Sequence, residues 1–203
     1  RLKVNLKKSD FVASRLIDAH IYGEQHPYGK YSRLEDFDTL NREELMDFYH
    51  RYYQQGKFVM FIAGRLPEGW QDLLNRYFGD LPNTAVAMNK ISMQPATEKK
   101  SRLINDAEGV QGSIRMARPF FNRHHPDFVK AMVLNTLFGG FFGSRLMSNI
   151  REEKGYTYGI HSFLQNHIHD SAWVISTEAG KDVCEATIGE VYKEMKLLRE
   201  DRK

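Results

Sequence analysis

The run of residues 138–158 constrains the fold more than any other part of the chain. It predicts a buried helix, a glycine turn, a short helix and a strand in quick succession. Ser144 follows a group of glycines and is a typical residue for a helix N-cap. Gly155 suits the left-handed position that ends a helix. Residues 156–164 then alternate in polarity like a half-buried strand, so this segment sets the order of four elements.

Two side chains of this run, Arg151 and Tyr158, could bind an oxygen atom that carries charge. Arg151 lies in the last turn before Gly155 and Tyr158 lies just inside the strand, so both can face one groove. Arginine has a permanent charge and a rigid fork of donors, and tyrosine has a phenol donor. Such a pair can hold a peptide carbonyl or an oxyanion. A structural alternative remains open, in which Arg151 neutralises helix-end carbonyls and the tyrosine packs in the core.

The rest of the second half predicts strands flanked by helices. The predicted strands are residues 102–107, 112–117, 156–164 and 171–177, of which the last two form a hairpin. Pro126 and Asp127 open a helix that is apolar around most of its circumference, so we expect it to be almost fully buried. A last helix that includes Cys184 carries an amphipathic stripe for a sheet.

The first half predicts three helices and one strand. Ser9 can cap a helix that stops at Gly23, and Asn41 begins a capping box at a second helix. The continuous apolar run 58–63 has the length of a central strand. A third helix follows Pro67. The whole order predicts an α+β fold, with helices packed on one face of antiparallel sheets, in two related pieces.

Composition excludes several classes of protein. The 203 residues are 41% hydrophobic and 27% charged, which is typical of a soluble globular protein. The net charge of +3 is too small to favour a nucleic-acid partner, and no apolar run is long enough to span a membrane. Cys184 is the only cysteine, which excludes an internal disulfide and a cysteine-based metal site. The chain begins at Arg1 without Met, so we expect both ends to be truncated, and the compartment stays unknown.

Three stretches resemble insulinase/pitrilysin-type zinc peptidases, the inverted zinc-motif metallopeptidases that include mitochondrial processing peptidase and bacterial relatives. The most specific stretch is Gly139-Gly140 … Ser144-Arg145-Leu146 … Ile150-Arg151-Glu152-Glu153-Lys154-Gly155 … Tyr158. The other two are Gly23-Glu24-Gln25-His26-Pro27-Tyr28-Gly29 with LNREELMDFYHRYY after it, and the run 58–81, which ends in Tyr77-Phe78-Gly79-Asp80-Leu81. The resemblance covers nearly the whole chain in the right order.

The resemblance implies both a domain division and a set of site residues. Residues 1–83 would be the C-terminal part of a first peptidase-like domain, residues 84–100 a linker, and residues 101–203 the N-terminal part of the family's C-terminal domain. Arg151 and Tyr158 would be catalytic, binding the substrate backbone and the tetrahedral intermediate. Gly139 and Gly140 would belong to the substrate-binding groove, where glycines let the chain come close to the substrate.

The family's zinc motif, His-x-x-Glu-His, does not occur around any of the eight histidines. A catalytic zinc site needs two histidines on one helix face, a third ligand and an open position. We therefore expect this segment to bind no metal and to be inactive by itself, with zinc as the cofactor of the complete enzyme. A cluster at the predicted hairpin, His161, His167, His169 and Asp170, leaves a different metal site open as an alternative to a merely polar hairpin tip.

Three functional hypotheses follow. In the first, the chain is the substrate-binding, non-zinc part of an insulinase-like metalloendopeptidase, with zinc ligands elsewhere in the protein or on a partner. In the second, it is a non-catalytic family member that acts as an assembly or peptide-binding subunit. The third, an unrelated α+β binding domain, requires the resemblance to be accidental. The expected partners are a peptide or protein substrate and the other half, or a partner subunit, of the peptidase.

Overall fold

The computed structural model describes residues 1–82, 91–98 and 101–200. The chain divides into two compact units, a larger one formed by Arg1–Tyr31 with Ile91–Lys203 and a smaller one, Ser32–Lys90. The α-helices are α1 Leu2–Asn5, α2 Ser9–Tyr22, α3 Arg42–Phe48, α4 Trp70–Phe78, α5 Phe128–Asn135 and α6 Cys184–Glu200. Wider π-helical turns cover Tyr49–Tyr53, Thr136–Gly140 and Met147–Glu153, and a 3₁₀ turn covers Glu35–Phe37.

The sheet of the larger unit has three antiparallel strands in the described part of the chain. They are β1 Gln111–Phe120, β2 Thr157–Asn166 and β3 Ser171–Gly180, in the order β1-β3-β2. The predicted hairpin is confirmed as β2 and β3. Ile175 at the centre of β3 pairs with Met116 of β1 and with Ser162 of β2.

Alternate side chains of β3 enter two different cores. Trp173 and Ile175 contact the face that the later helices cover, and Ala172 and Val174 contact α2 on the opposite face. The buried residues of the first core are Phe138, Leu146, Met147, Ile150, Ile160, Ile175 and Val191. The α+β class is confirmed, and the helices after β1 pack on one face as predicted. Helix α2 adds a layer on the other face, because β3 is apolar on both of its sides.

Helix α2 has the predicted bounds but not the predicted cap. Lys8 occupies the N-cap position, and the Ser9 hydroxyl instead donates to Asn105 Oδ1 at 3.0 Å. The helix ends at Gly23, whose φ of 96° lies in the left-handed region. A Cβ at Gly23 would lie 2.7 Å from the carbonyl oxygen of Gln94, so this position also requires glycine for space.

Helix α5 is not almost fully buried, which corrects the prediction from its composition. Several of its apolar side chains are exposed, namely Val129 by 70%, Met132 by 49%, Val133 by 59% and Leu134 by 48%. One stripe of a helix is enough to pack on a sheet, so an apolar composition around the whole circumference does not require the whole helix to be buried.

The predictions of two strands are wrong. Residues 58–63 and 102–107 form no strand, and Phe61 is 92% exposed. A strand is stable only beside a hydrogen-bonded neighbour. In the described part of the chain the sheet contains only β1, β2 and β3, so neither run has such a neighbour.

The smaller unit contains α3 and α4. The Asn41 side chain accepts a hydrogen bond from the Glu44 amide at 2.9 Å, which confirms the predicted cap of α3. Helix α4 begins at Trp70 rather than near Pro67, because Gly69 before it is left-handed with a φ of 75°. None of the described residues of this unit is buried.

The predicted domain ranges 1–83, 84–100 and 101–203 stay a prediction. Residues 83–90 and 99–100 of the predicted linker lie outside the described residues. Within residues 91–98, the amides of Gln94 and Ala96 donate at 2.9 Å to the carbonyl oxygens of Tyr22 and His20. The described part of the chain contains no helix that is long and apolar enough to cross a membrane.

Candidate functional site

Arg151 lies on a helical run, residues 145–153, that begins directly after Ser144. Leu146 and Ile150 on this run are fully buried and fix one side of it in the core. The Ser144 hydroxyl is buried without a hydrogen-bond partner among the described residues, so the predicted side-chain cap does not form. Ser144 contributes its backbone carbonyl oxygen to the first turn of the run, where it accepts a hydrogen bond from the Ser148 amide at 2.9 Å.

The run ends at Gly155, as the sequence predicts. Gly155 has a φ of 65°, and its amide donates to the Arg151 carbonyl oxygen at 3.1 Å. The Tyr156 amide donates to the Ile150 carbonyl oxygen at the same distance of 3.1 Å. Strand β2 begins one residue later, so the end of the helix and the start of the strand hold Arg151 and Tyr158 close together.

The Arg151 guanidinium contacts two aromatic rings. Its central carbon lies 4.5 Å from the ring centre of Phe142 and 5.3 Å from that of Tyr158. Tyr158 is 89% exposed, so it is not a core residue. Within the described part of the chain, the Arg151 side chain makes no hydrogen bond or ion pair, and cation–π contacts hold it instead. The core position of the tyrosine in the structural alternative is therefore wrong, whereas the site role of Arg151 and Tyr158 stays a prediction.

A β-bulge presents Tyr158 to solvent. The register of β2 against β3 shifts between Thr157 and Ile160, which places Tyr158 in the irregular stretch. The Thr177 hydroxyl lies 2.8 Å from the Thr157 hydroxyl and 2.9 Å from the Gly159 carbonyl oxygen. The Gly159 amide donates to the Thr157 hydroxyl at 3.1 Å. Bulges often redirect a side chain beside a functional site, and the strand pattern of the sequence gives no sign of this one.

Gly139 and Gly140, predicted for the substrate-binding groove, occupy different environments. Gly139 is buried, and a Cβ there would lie 2.6 Å from Ser162 Oγ and 2.9 Å from Leu146 Cδ1. Gly140 is exposed, and a Cβ there would approach the Asn135 carbonyl oxygen at 3.2 Å. Gly139 thus lets the chain lie directly on β2, whereas the substrate-binding role of both glycines stays a prediction.

Asn135 is a positioning residue that the sequence pattern does not reveal. Its amide nitrogen donates to the Ser162 carbonyl oxygen at 3.0 Å, and its amide oxygen accepts from Trp173 Nε1 at 2.8 Å. These bonds fix the end of α5 on the sheet just before the glycine turn. A polar residue inside an apolar helix is the only signal of this role, and it does not identify the partners.

The histidines near the hairpin do not form a metal site. Among the described residues, no three or more His, Cys, Asp or Glu side chains lie close enough to hold a metal ion. His167 stacks on Tyr28, with ring centres 4.0 Å apart. His26 Nε2 lies 3.6 Å from Asp170 Oδ2 and 3.1 Å from the Ile91 carbonyl oxygen. Between α2 and the hairpin these side chains form an aromatic and polar contact rather than a ligand set.

Comparison with known proteins gives one family and a set of relatives. The family model described as the peptidase M16 inactive domain matches residues 39–202. An uncharacterized zinc protease of Bacillus subtilis is 24% identical over 195 residues, covering 95% of this chain and 46% of that protein. A probable inactive metalloprotease of the same organism is also 24% identical, over 71% of this chain and 34% of that protein.

A solved structure shows the same fold. The crystal structure of a peptidase M16 inactive domain from Pseudomonas fluorescens matches with a TM-score of 0.72 and 21% identity. The match covers 95% of this chain and 47% of that one. The chain therefore spans about half the length, or less, of these relatives.

Proposed function

The chain belongs to the peptidase M16 inactive domain family, whose model matches residues 39–202. We propose that the chain is the substrate-binding, non-zinc part of an insulinase-like metalloendopeptidase. Arg151 and Tyr158 bind the peptide backbone and stabilise the oxyanion that forms at the scissile carbonyl. The observation that carries this proposal is the Arg151 guanidinium, which rests on Phe142 and Tyr158 while its donors stay unused by the described residues.

The geometry supports this role through the shape of the guanidinium. A cation–π contact uses none of the five N–H donors of the guanidinium in a hydrogen bond, so these donors remain available for a carbonyl oxygen. The Tyr158 phenol, 89% exposed, supplies a further donor beside it. Donors that are already in place act most strongly on the charge that develops in the transition state.

We assign zinc to a part of the complete protein outside this chain, or to a partner. The described residues do not fit the ion, because they contain no group of three or more possible ligand side chains. The similarity to a protein named as a zinc protease supports zinc in the complete enzyme, of which this chain would cover somewhat less than half. The other half of the peptidase and a peptide or protein substrate are accordingly the proposed partners, and residues 101–203 the proposed C-terminal domain segment.

A second candidate function is a non-catalytic assembly or peptide-binding subunit. Its support is the similarity to a relative named as a probable inactive metalloprotease. In that case Arg151 and the exposed Tyr158 bind peptide carbonyls without turnover.

The test uses the full-length protein, with its partner if there is one, in a peptide-cleavage assay with and without a chelator. We expect Tyr158→Phe and Arg151→Ala each to lower kcat by about 10²- to 10³-fold. Arg151→Ala is also expected to raise KM, if its fork holds backbone carbonyls. Neither side chain is buried in the core, so thermal stability is expected to stay close to that of the wild type.

Tyr192→Phe is the matched control, because Tyr192 is also exposed but lies on α6. Wild-type turnover in both site variants would refute the catalytic role. Peptide binding by a full-length protein that has no chelator-sensitive cleavage would favour the second candidate.

A further inference from the structure

A buried carboxylate on α6 lies beside the helical run that carries Arg151. Glu194 is only 7% exposed. Arg145 Nε donates to Glu194 Oε2 at 2.9 Å, and Asn149 Nδ2 donates to Glu194 Oε1 at 2.7 Å. Arg145 and Asn149 are one helical turn apart, so a single carboxylate holds two successive turns of the run through both of its oxygens.

Asn149 also contacts a second carboxylate of α6. Its Nδ2 lies 2.9 Å from Glu190 Oε2. This hydrogen bond lowers the pKa of the Glu190 carboxyl, against the smaller opposing effect of burial, and Lys193 lowers the pKa further. Glu190 is therefore ionised at neutral pH, and α6 presents two carboxylates to one side of the run.

Apolar packing does not fix the rotation of the run as closely. Leu146 and Ile150 pack against the same core as Val191 of α6. Apolar contacts are non-directional, whereas hydrogen bonds to a carboxylate have a defined direction and short length. A π-helical segment such as Met147–Glu153 is also rare and depends on its surroundings. The carboxylate contacts are thus a directional restraint that joins this segment to α6.

We propose that Glu194 is a positioning residue for Arg151. Through Arg145 and Asn149 it sets the rotation of the helical run from which Arg151 reaches the Phe142 and Tyr158 rings. The hydrogen bonds of Glu194 join it to Arg145 and Asn149, so its effect on the substrate passes through the helix. This inference rests on the proposed role of Arg151 at the substrate carbonyl.

The first test compares Glu194→Gln with Glu185→Gln in the full-length enzyme. The glutamine side chain in place of Glu194 would keep the volume but turn an NH₂ group toward one of the two donors, so one hydrogen bond is lost. We expect kcat to fall by about tenfold to a hundredfold while KM changes little, because the group acting on the transition state is misplaced. Glu185 is exposed on the same helix, and its change is expected to leave both constants at wild-type values.

Arg145→Lys is a milder variant in case Glu194→Gln does not fold. The Arg145 side chain is 33% exposed, and lysine keeps its charge while losing the Nε donor. We expect a smaller fall of kcat in the same direction. Hydrogen–deuterium exchange of the full-length protein gives a readout that does not depend on activity. The amides of residues 147–156 should exchange faster in both variants, and unchanged exchange there would contradict the proposal.

A double variant separates positioning from general stability. If Glu194 acts through Arg151, Glu194→Gln should cause no further loss of kcat when it is added to Arg151→Ala. A further loss of the same size as in the wild-type background would overturn the positioning role. If Arg151→Ala lowers kcat and Glu194→Gln does not, only the positioning role fails. If Arg151→Ala has no effect on kcat, the proposed function fails and the positioning role with it.

Discussion

A single missing Cβ at Gly139 sets how closely the chain approaches β2. A Cβ at this position would lie 2.6 Å from Ser162 Oγ and 2.8 Å from the Ser162 backbone nitrogen. The hydroxyl can rotate away, but the backbone nitrogen belongs to a strand that is paired with β3. The turn that leads from α5 to the helical run of residues 145–153, which carries Arg151, can therefore adopt this path only with glycine at position 139.

We expect Gly139→Ala to lower the free energy of unfolding by about 1–3 kcal/mol, because an extra methyl group must displace backbone in a packed core. Gly189→Ala is the control, since Gly189 lies within α6 with no atom within 4 Å of its built Cβ. That change is expected to raise the free energy of unfolding by about 0.5–1 kcal/mol, the difference in helix propensity. Urea unfolding followed by circular dichroism measures both, and a stabilised Gly139→Ala variant would contradict the packing argument.

Single residues of the site differ in how far the sequence predicts them. The sequence pattern predicts that Arg151 and Tyr158 can face one groove, because Gly155 sets the geometry between them within a few residues of chain. Their role at the site is what the family resemblance implies. Asn135 is missed as a site residue because its contacts are to residues distant in sequence. Phe142 is missed although Arg151 follows it closely in the chain, because no local pattern pairs the two side chains. The Asn135 amide, for example, reaches Ser162 across 27 positions, and no local pattern identifies such a partner.

At the scale of elements, the bulge of β2 depends on two threonine hydroxyls. Thr177→Val keeps the shape of the side chain but removes the hydroxyl that lies 2.9 Å from the Gly159 carbonyl oxygen. We expect the free energy of unfolding to fall by about 1 kcal/mol, the value of one hydrogen bond. Since Tyr158 projects from this bulge, kcat of the full-length enzyme should fall as well.

Thr136→Val is the control for that change. Thr136 is exposed, and its hydroxyl bonds the Met132 carbonyl oxygen at 2.9 Å within its own helical segment. Its loss is expected to change stability by less than about 0.5 kcal/mol and to leave kcat unchanged. Equal effects of the two variants on kcat would show that the bulge does not position Tyr158.

Helix caps show where local rules fail. Asn41 caps α3 as predicted, because its side chain is exposed and free to accept from the Glu44 amide. Ser144 has the same capping chemistry, but its hydroxyl is buried and makes no hydrogen bond to any described residue. Tertiary packing decides which serine or asparagine can turn its side chain to the helix end.

At the scale of the whole molecule, the two compact units differ in how much they bury. The larger unit contains every buried residue of the described chain, whereas Ser32–Lys90 has none among its described residues. Segments with little buried surface open at lower free energy than core strands and helices. Local stability should therefore differ strongly between the two units of the isolated chain.

We expect limited trypsin digestion of the 203-residue chain to cut first after Lys57 and Arg65, which are exposed outside helices and strands. Lys130 and Arg145 lie on helices that pack against the sheet, so cuts there should come later. Mass spectrometry of the early fragments gives the order. First cuts within residues 111–200 would contradict the difference in stability.

The sequence by itself determined the features whose signals lie close together in the chain. Local alternation of polarity predicts the β2–β3 hairpin, and helical spacing predicts the apolar stripe of α6. The conformational freedom of Gly155 predicts the end of the helical run that carries Arg151. The nearness of Arg151 to Tyr158 follows in the same way, since only six residues separate them.

Tertiary structure alone decided which apolar runs find a partner. Residues 58–63 have the composition of a central strand yet form none, and α5 leaves part of its apolar surface exposed, because burial needs a neighbour that composition cannot supply. Helix α2 covers the second face of the sheet for the converse reason, since Ala172 and Val174 offer it an apolar surface. Glu194 meets Asn149 across 45 positions, a contact that exists only once the chain has folded.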